Sequence, residues 1–463
     1  MHLQRIQVPD FRVLKDVDIT FEKEFVPSIF PLGSLNGGGK STLLQLIFVL
    51  LHCSTGLHKK IFLKNILEGL NIYVNTDKRV IAIIDIWDGY KSVKLEFSSY
   101  KDSYIRNLLN QNEPINIAGN DSNEPDDRSY FNFSVLGELE EIKLQIIGHN
   151  LAISDLKKNF NELPKIEIKQ GIEKAEADLK ELLVKRDKME VYSQKILQYL
   201  QSKKLVYICK YSVNENKNED EALLCKIDNV DIDKAELFLK KLSLKVFLAA
   251  PATQVFIFLS KESRKSLFRN PSPDKNKSDE NNKYYSELQT AKSKLRGFFA
   301  YDFLAVDLLI ESFKAARDRD FKEAIETGEY GNNYKELMNE LNGMLSNKQI
   351  KLDLDLSGVN FKLMRDGGSL ELNPEDLSHG ELKKLGIYMW IKYHNIENSI
   401  VLMDEVEIAF HPDWQYQIIS DLQQWAPSNQ YILATHSYEL CQALTPSHVK
   451  ELEPKLLKPE AQQ

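Results

Sequence analysis

The stretch Ser34-Leu35-Asn36-Gly37-Gly38-Gly39-Lys40-Ser41-Thr42 contains the residue types needed to hold a polyphosphate. A phosphate needs several backbone N–H groups aimed inward, and consecutive glycines let the chain wrap closely enough to supply them. Lys40 would reach the β- and γ-phosphates, and the Ser41 hydroxyl would ligate Mg²⁺. The helix starting there would direct its N-terminus at the anion. Asn36, Gly37, Gly38, Gly39 and Thr42 complete the candidate cradle. Ser34 stands where such loops usually place their first glycine, with Gly33 one place upstream, so the entry to the loop departs from the common pattern.

Three further groups could act on the same phosphates. Ile400-Val401-Leu402-Met403-Asp404-Glu405 is an apolar run ending in two acids. It predicts a buried strand delivering carboxylates to a sheet edge beside the phosphate loop. Asp404 would hold the Mg²⁺ shell and Glu405 would polarise an attacking water. Leu377-Ser378-His379-Gly380-Glu381 opens a predicted helix running to about Tyr393. Ser378 and Glu381 fit a capping box. The same serine, Gly380 and the free N–H groups of that helix end could instead grip a γ-phosphate presented by another subunit. Tyr431-Ile432-Leu433-Ala434-Thr435-His436-Ser437 predicts a strand whose terminal His436 could contact the γ-phosphate and the water.

These residues need a sheet and flanking helices to position them. His2 to Phe21 reads as two strands around Pro9-Asp10-Phe11-Arg12, with Ile6 and Val8 alternating in the first and Val17, Ile19 and Phe21 in the second. An apolar approach, Val26 to Leu32, leads into the phosphate loop and the helix Lys40 to His52. Strand-like runs follow at Val80–Trp87 and Lys91–Phe97. Ile172, Ala175, Leu179, Leu182, Met189, Ile196 and Leu200 recur at heptad-like spacing, which predicts one helix over Ile172–Lys203. That helix either packs on its own domain or forms an arm that pairs with a partner; no second long helix is evident. Pro271 to Lys283 is polar and charged and reads as a mobile loop. Helices are expected from Tyr284 to Met344, then strands at Ile350–Leu356, Val359–Met364 and Ser369–Leu372.

Composition limits the function classes. The 463 residues carry a net charge of −8, which argues against broad nonspecific coating of DNA. Met1 to Phe11 alternates polar and apolar residues, unlike a secretory leader. The most apolar run, Leu43 to Leu51, is too short to span a bilayer. The four cysteines form no C-x-x-C pair and read as reduced thiols, with no zinc site and a cytoplasmic location.

The four motifs, in this order, resemble the ABC-type ATPase superfamily. The opening "VPDFRVLKDVDITFE", the "LSHGE" signature and "DEVEIAFHPDWQ" are most similar to its SMC-like and OLD-like branch. The resemblance is dense over residues 1–55 and 350–440. It implies an α/β ABC-ATPase head, with a P-loop sheet flanked by helices, an antiparallel N-terminal β lobe and a helical insertion. The implied divisions are a P-loop lobe at 1–100, an insertion at 101–245, a lid and helical region at 246–345, and a signature lobe at 346–463. It also implies ATP and Mg²⁺ as cofactors, and Arg12, in an aromatic-Arg pair with Phe11, near the nucleotide. Gln254 is the implied Mg²⁺-sensing lid glutamine, with Gln145 as a rival. Glu407, His411 and Pro412 match the extended acidic motif.

The layout resembles ATPase subunits of prokaryotic antiphage systems, the Septu PtuA type first and the PARIS ATPase second. It implies a homodimer or higher homo-oligomer, a separate HNH- or TOPRIM-type nuclease effector, and no membrane. A RecF- or SMC-like repair ATPase, with nucleic acid as its partner, is the alternative. The DE-x-E…HP motif and the insertion disfavour a transporter subunit.

Overall fold

A computed structural model of the chain describes residues 1–34, 37–68, 76–104, 132–158, 165–211, 221–259, 293–301, 305–345, 347–365 and 368–452. Leu35, Asn36 and the predicted loop Pro271–Lys283 lie outside the described residues.

Strands β1 (His2–Phe11) and β2 (Leu14–Thr20) form an antiparallel hairpin. Next come β3 (Ile29–Gly33), α1 (Lys40–His52) and α2 (Leu57–Leu67), then β4 (Lys78–Trp87) and β5 (Ser92–Lys101). Two long helices follow, α3 (Phe133–Lys158) and α4 (Lys165–Ser202), then β6 (Leu205–Tyr211), β7 (Glu221–Asp228), α5 (Ile232–Ser243) and β8 (Val246–Ala250). A 3₁₀ turn (Ala252–Phe258) and β9 (Phe298–Ala300) precede α6 (Ala305–Thr327) and α7 (Asn333–Met344). The last third holds β10 (Lys348–Leu352), β11 (Val359–Arg365), β12 (Gly368–Leu372), α8 (His379–Tyr393), β13 (Ile400–Asp404), α9 (Pro412–Trp425), β14 (Gln430–Ala434), α10 (Tyr438–Gln442) and β15 (Lys450–Glu451).

These strands build three sheets. One is antiparallel, in the order β2-β1-β4-β5-β7-β6, so β6 and β7 join the same sheet as the N-terminal hairpin. A second, β10-β11-β12, is a small antiparallel meander. The third is parallel throughout, in the order β15-β3-β14-β13-β8-β9. This is the mixed α/β head expected from the motifs, with an antiparallel lobe beside a helix-flanked parallel sheet.

The parallel sheet is covered on both faces, which is why β13 and β14 are apolar without alternation. Alternate residues still choose sides. Ile400, Leu402, Ile432 and Leu32 face a core shared with α1, α5 and the antiparallel sheet. Val401, Met403, Tyr431 and Leu433 face the core built by α6 to α9. Helix α1 lies between the two large sheets and is buried on every side from Leu43 to His52, as a helix without a polar face must be.

The middle of the chain departs from the sequence reading. The predicted helix starts seven residues earlier, at Lys165 rather than Ile172, and a second long helix, α3, packs against it as a hairpin. The partner that its apolar seam anticipates is therefore in the same chain. Lys143–Glu190 at 2.9 Å and Lys157–Glu176 at 3.8 Å bridge the pair. A cluster of Phe133, Val135, Leu136, Ile196 and Leu200 roots it on β5, β6 and β7. No described helix is long and apolar enough to cross a membrane.

Candidate phosphate-binding site

Parallel strands carry all their C-terminal ends to one edge, and β3, β14, β13 and β8 are adjacent. Leu32, Ala434 and Asp404 pair at one level across this edge. The phosphate loop, Thr435-His436, Asp404-Glu405 and the turn bearing Gln254 thus emerge side by side. This is where ligands bind in open α/β sheets, outside the carboxyl ends of the strands.

The loop is shaped by its glycines. Gly37 and Gly39 have φ of 80° and 91°, in the left-handed region that favours glycine. Gly39 is also the N-cap of α1, and a Cβ there would sit 2.6 Å from the Leu14 side chain. The β1–β2 turn therefore presses directly on the loop. Gly38 is buried and Thr42 half-buried in the first turn of α1.

Lys40 is 6% exposed, and its Nζ donates to the Ser34 carbonyl and the Ser34 Oγ, each at 3.1 Å. Ser34, the residue that breaks the usual pattern, thus supplies a hydroxyl acceptor for the loop's lysine. Burial pulls the Lys40 pKa down against the pull of Asp404, Glu407 and Glu405.

Ser41 Oγ donates to Asp404 Oδ1 at 2.9 Å, joining residues 363 positions apart. Burial pushes the Asp404 carboxyl up to about 7, against the Ser41 hydrogen bond. Its Oδ2 is buried with no hydrogen-bond partner among the described residues. A serine hydroxyl and an under-coordinated carboxylate are hard oxygen donors of the kind Mg²⁺ takes, with phosphates and water completing the shell. Among the described residues no cluster of three or more His, Cys, Asp or Glu could hold a metal alone.

Glu405 follows the strand with φ 51°, and its N–H donates to the Ala434 carbonyl at 2.9 Å. Glu407 is buried, and its Oε1 accepts the His436 N–H at 2.7 Å, tying the acidic loop to the next strand end. The His436 side chain is exposed. His411 caps α9 by accepting from the Asp413 N–H at 3.4 Å, with Pro412 at the first helical position.

The two candidate glutamines separate clearly. Gln254 lies just past β8, where its Oε1 accepts from Gln45 Nε2 on α1. Gln145 is exposed on α3, which packs against β6 and α4. Gln45, the polar interruption in the apolar run of α1, was not recognised from sequence as its partner. A buried polar residue inside such a run is itself the signal.

Arg12 lies on the β1–β2 turn with φ 55°, and its Nη2 donates to the Ile66 carbonyl of α2 at 2.8 Å. Phe11 is buried in the core beneath it.

Ser378 caps α8 as a complete capping box. Its Oγ donates to Glu381 Oε2 at 2.9 Å and accepts the Glu381 N–H at 3.2 Å. Glu381 also takes Lys348 at 2.6 Å. Burial opposes its charge, but Lys348 and Ser378 outweigh that and hold its carboxyl below the usual range. Ser378 is exposed and, among the described residues, has no hydrogen bond to the phosphate loop of its own chain. Gly380 has a packing role, since a Cβ there would lie 2.6 Å from the Ala409 carbonyl oxygen.

The family described as "AAA domain, putative AbiEii toxin, Type IV TA system" matches residues 180–442. The chain belongs to this family. The matched residues include α8, the acidic strand β13 and the strand β14 that leads to His436. Two curated relatives are similar over short stretches. A "Retron Vc95 probable ATPase" of Vibrio cholerae serotype O1 biovar El Tor is 38% identical over 52 residues, 11% of this chain and 10% of that protein. A "Retron Ec83 probable ATPase" of Escherichia coli is 29% identical over 108 residues, 21% of this chain and 20% of that protein. The alignments therefore span a fifth or less of either relative. Two solved structures align along most of the chain. One is an Smc head with an extended coiled coil bound to the C-terminal domain of ScpA from Pyrococcus furiosus, at TM-score 0.31 and 12% identity over 96% of this chain and 91% of that one. The other is an SmcHead bound to the C-winged helix domain of ScpA, at TM-score 0.36 and 8% identity over 96% and 92%.

Proposed function

We propose that this chain is an ATP-hydrolysing switch of the ABC type, working as a pair of copies in a prokaryotic defence system and controlling a separate nuclease. The Ser41–Asp404 hydrogen bond carries the reading, because it joins the phosphate loop to the acidic strand and leaves one buried carboxylate oxygen over. In this reading Asn36, Gly37, Gly38, Gly39 and Thr42 cradle the phosphates and Lys40 neutralises them. Ser41 and Asp404 hold Mg²⁺, which when bound offsets phosphate charge. Glu405 orients and deprotonates the attacking water, His436 contacts the γ-phosphate, Gln254 senses the loaded site and Arg12 borders the nucleotide. Ser378 and Gly380 act on the ATP of the second copy.

The toxin–antitoxin wording of the family and the retron origin of the named relatives support a defence setting. Within that setting the Septu PtuA type is preferred and the PARIS ATPase is second. The nuclease is a separate protein, because the acids Asp404, Glu405 and Glu407 are engaged in the phosphate site, and the resemblance to antiphage ATPases makes it of HNH or TOPRIM type. ATP can bias such a switch only by binding one shape more tightly than another.

The test is phosphate release from ATP by the purified chain. Hydrolysis should require Mg²⁺, stop with a chelator, and be lost in Lys40→Ala together with ATP binding. DNA and RNA should survive incubation with the pure chain and Mg²⁺. Hydrolysis indifferent to Lys40→Ala would overturn the site. Cleavage abolished by a point change outside it would overturn the separate effector.

A further inference from the structure

We propose that Lys383 is a positioning residue for hydrolysis: it holds the loop that carries Glu405, and does so from the helix that presents Ser378. The inference rests on Glu405 being the group that orients the attacking water.

The loop after β13 is bracketed by two non-glycine residues in the left-handed region, Glu405 at φ 51° and Ala409 at φ 71°. That region is disfavoured for any residue with a Cβ and persists only where the surroundings over-determine it. Helix α8 provides the determination at both ends. Lys383 Nζ donates to the Glu405 carbonyl at 2.8 Å and to the Ile408 carbonyl at 3.1 Å. Gly380, one turn earlier, allows α8 to approach the Ala409 carbonyl more closely than any Cβ would permit.

Lys383 is only 6% exposed, so its ammonium must find acceptors inside the fold. That cost is met by the loop carbonyls. The Nζ also lies 4.0 Å from the Tyr301 ring centroid, and the Tyr301 hydroxyl donates to the Ala249 carbonyl of β8, the strand that leads to Gln254. One ammonium therefore links the signature helix, the Glu405 loop and the strand before the lid glutamine.

Helix α8 is continuous from Ser378 at its cap to Lys383 and beyond. When Ser378 engages the nucleotide of a second copy, displacement of α8 reaches the Glu405 backbone through Lys383 and the Ala409 backbone through Gly380. Each copy thereby senses its neighbour's site at its own water-orienting residue, and turnover at the two sites becomes cooperative.

Lys383→Met keeps the apolar stem and removes the ammonium. The expected result is a fall in kcat of about 10²-fold, the scale of a misplaced reacting group. KM for ATP should stay within about threefold, because binding contacts are untouched. The Hill coefficient for ATP should fall toward one, and Lys383→Arg should give an intermediate kcat. The double variant Glu405→Gln/Lys383→Met should bind ATP as tightly as Glu405→Gln alone, which reports an intact pocket. Wild-type kcat and cooperativity in Lys383→Met, or a loss confined to KM, overturns the proposal. If Lys383→Met does not fold, Lys383→Gln decides, since it also removes the ammonium and wild-type kcat and cooperativity there overturn the proposal equally. An inactive wild-type chain sinks the functional reading and this inference together; an active one matched by Lys383→Met sinks only this inference.

Discussion

Glu405 occupies an unusual position at the end of β13. Its backbone is left-handed, its N–H is bound to β14 and its carbonyl to Lys383 of α8, so its backbone is held by two other elements at once. Glu405→Gln keeps the volume and the hydrogen-bonding capacity but loses the charge that, under the proposed function, orients the attacking water. Hydrolysis should fall by about 10²–10⁴, the usual contribution of a general base, while ATP binding persists. Measuring phosphate release alongside nucleotide binding checks this, and a native rate would remove Glu405 from the mechanism. The acid pair at 404–405 was legible as a motif. Its supports were not, because Lys383 is a helix residue of unremarkable composition until the fold buries it.

At the level of elements, α2 is the junction. Its Ile66 carbonyl holds Arg12, Asn65 donates to the Phe258 carbonyl of the turn bearing Gln254, and Lys60 and Lys64 reach Glu140 on α3 at 2.6 Å and 3.3 Å. The Arg12 turn, the turn bearing Gln254 and the root of the helical hairpin therefore meet on one short helix. Glu140 is 7% exposed, and removing it strands two lysines in a partly buried setting. Glu140→Ala should cost about 3 kcal/mol, the low end for breaking a buried pair. The urea midpoint reads this directly; a change under about 0.5 kcal/mol would mark the pair as solvated and of surface strength. Helix α3 was missed in the sequence because it packs on two sides, against β6 and against α4. Among its buried residues, Val135, Leu139, Ile142 and Ile153 share one face, while Phe133 and Gly137 fall on the opposite one. Gly137, which reads as a helix breaker, is where α3 closes on Lys210, since a Cβ there would lie 2.7 Å from that side chain.

At the scale of the whole molecule, the glycine loop before Lys40, Asp404, Glu405 and Gln254 converge at one sheet edge, while Ser378 caps α8 and, among the described residues, has no hydrogen bond to that loop. Under the proposed function, a second copy would supply the Ser378 end of the site, and a two-fold pair would make two equivalent sites. Lys40→Ala and Ser378→Arg chains should each be inactive alone. Mixed, they should recover ATPase activity in the one site that combines an intact Lys40 with an intact Ser378. Absence of any recovery, with mixed dimers verified by size and mass, would refute the shared site.

The apolar runs ending in acids or Thr-His, the glycine loop before Lys40 and the Ser378–Glu381 box were readable from the chain alone. Their spacing is set by local backbone rules that neighbours do not alter. The α/β class followed from them, because such motifs need parallel strand ends. Other features depended on distant segments coming together, and these only the tertiary structure decided. They include the partner of the long helix, the strands β6 and β7 that join the N-terminal sheet, the contact of Gln254 with Gln45 of α1, and the grip of Lys383 on the Glu405 carbonyl. In each case the decisive contact is a long-range burial or hydrogen bond, and periodicity in one segment carries no record of what will cover it.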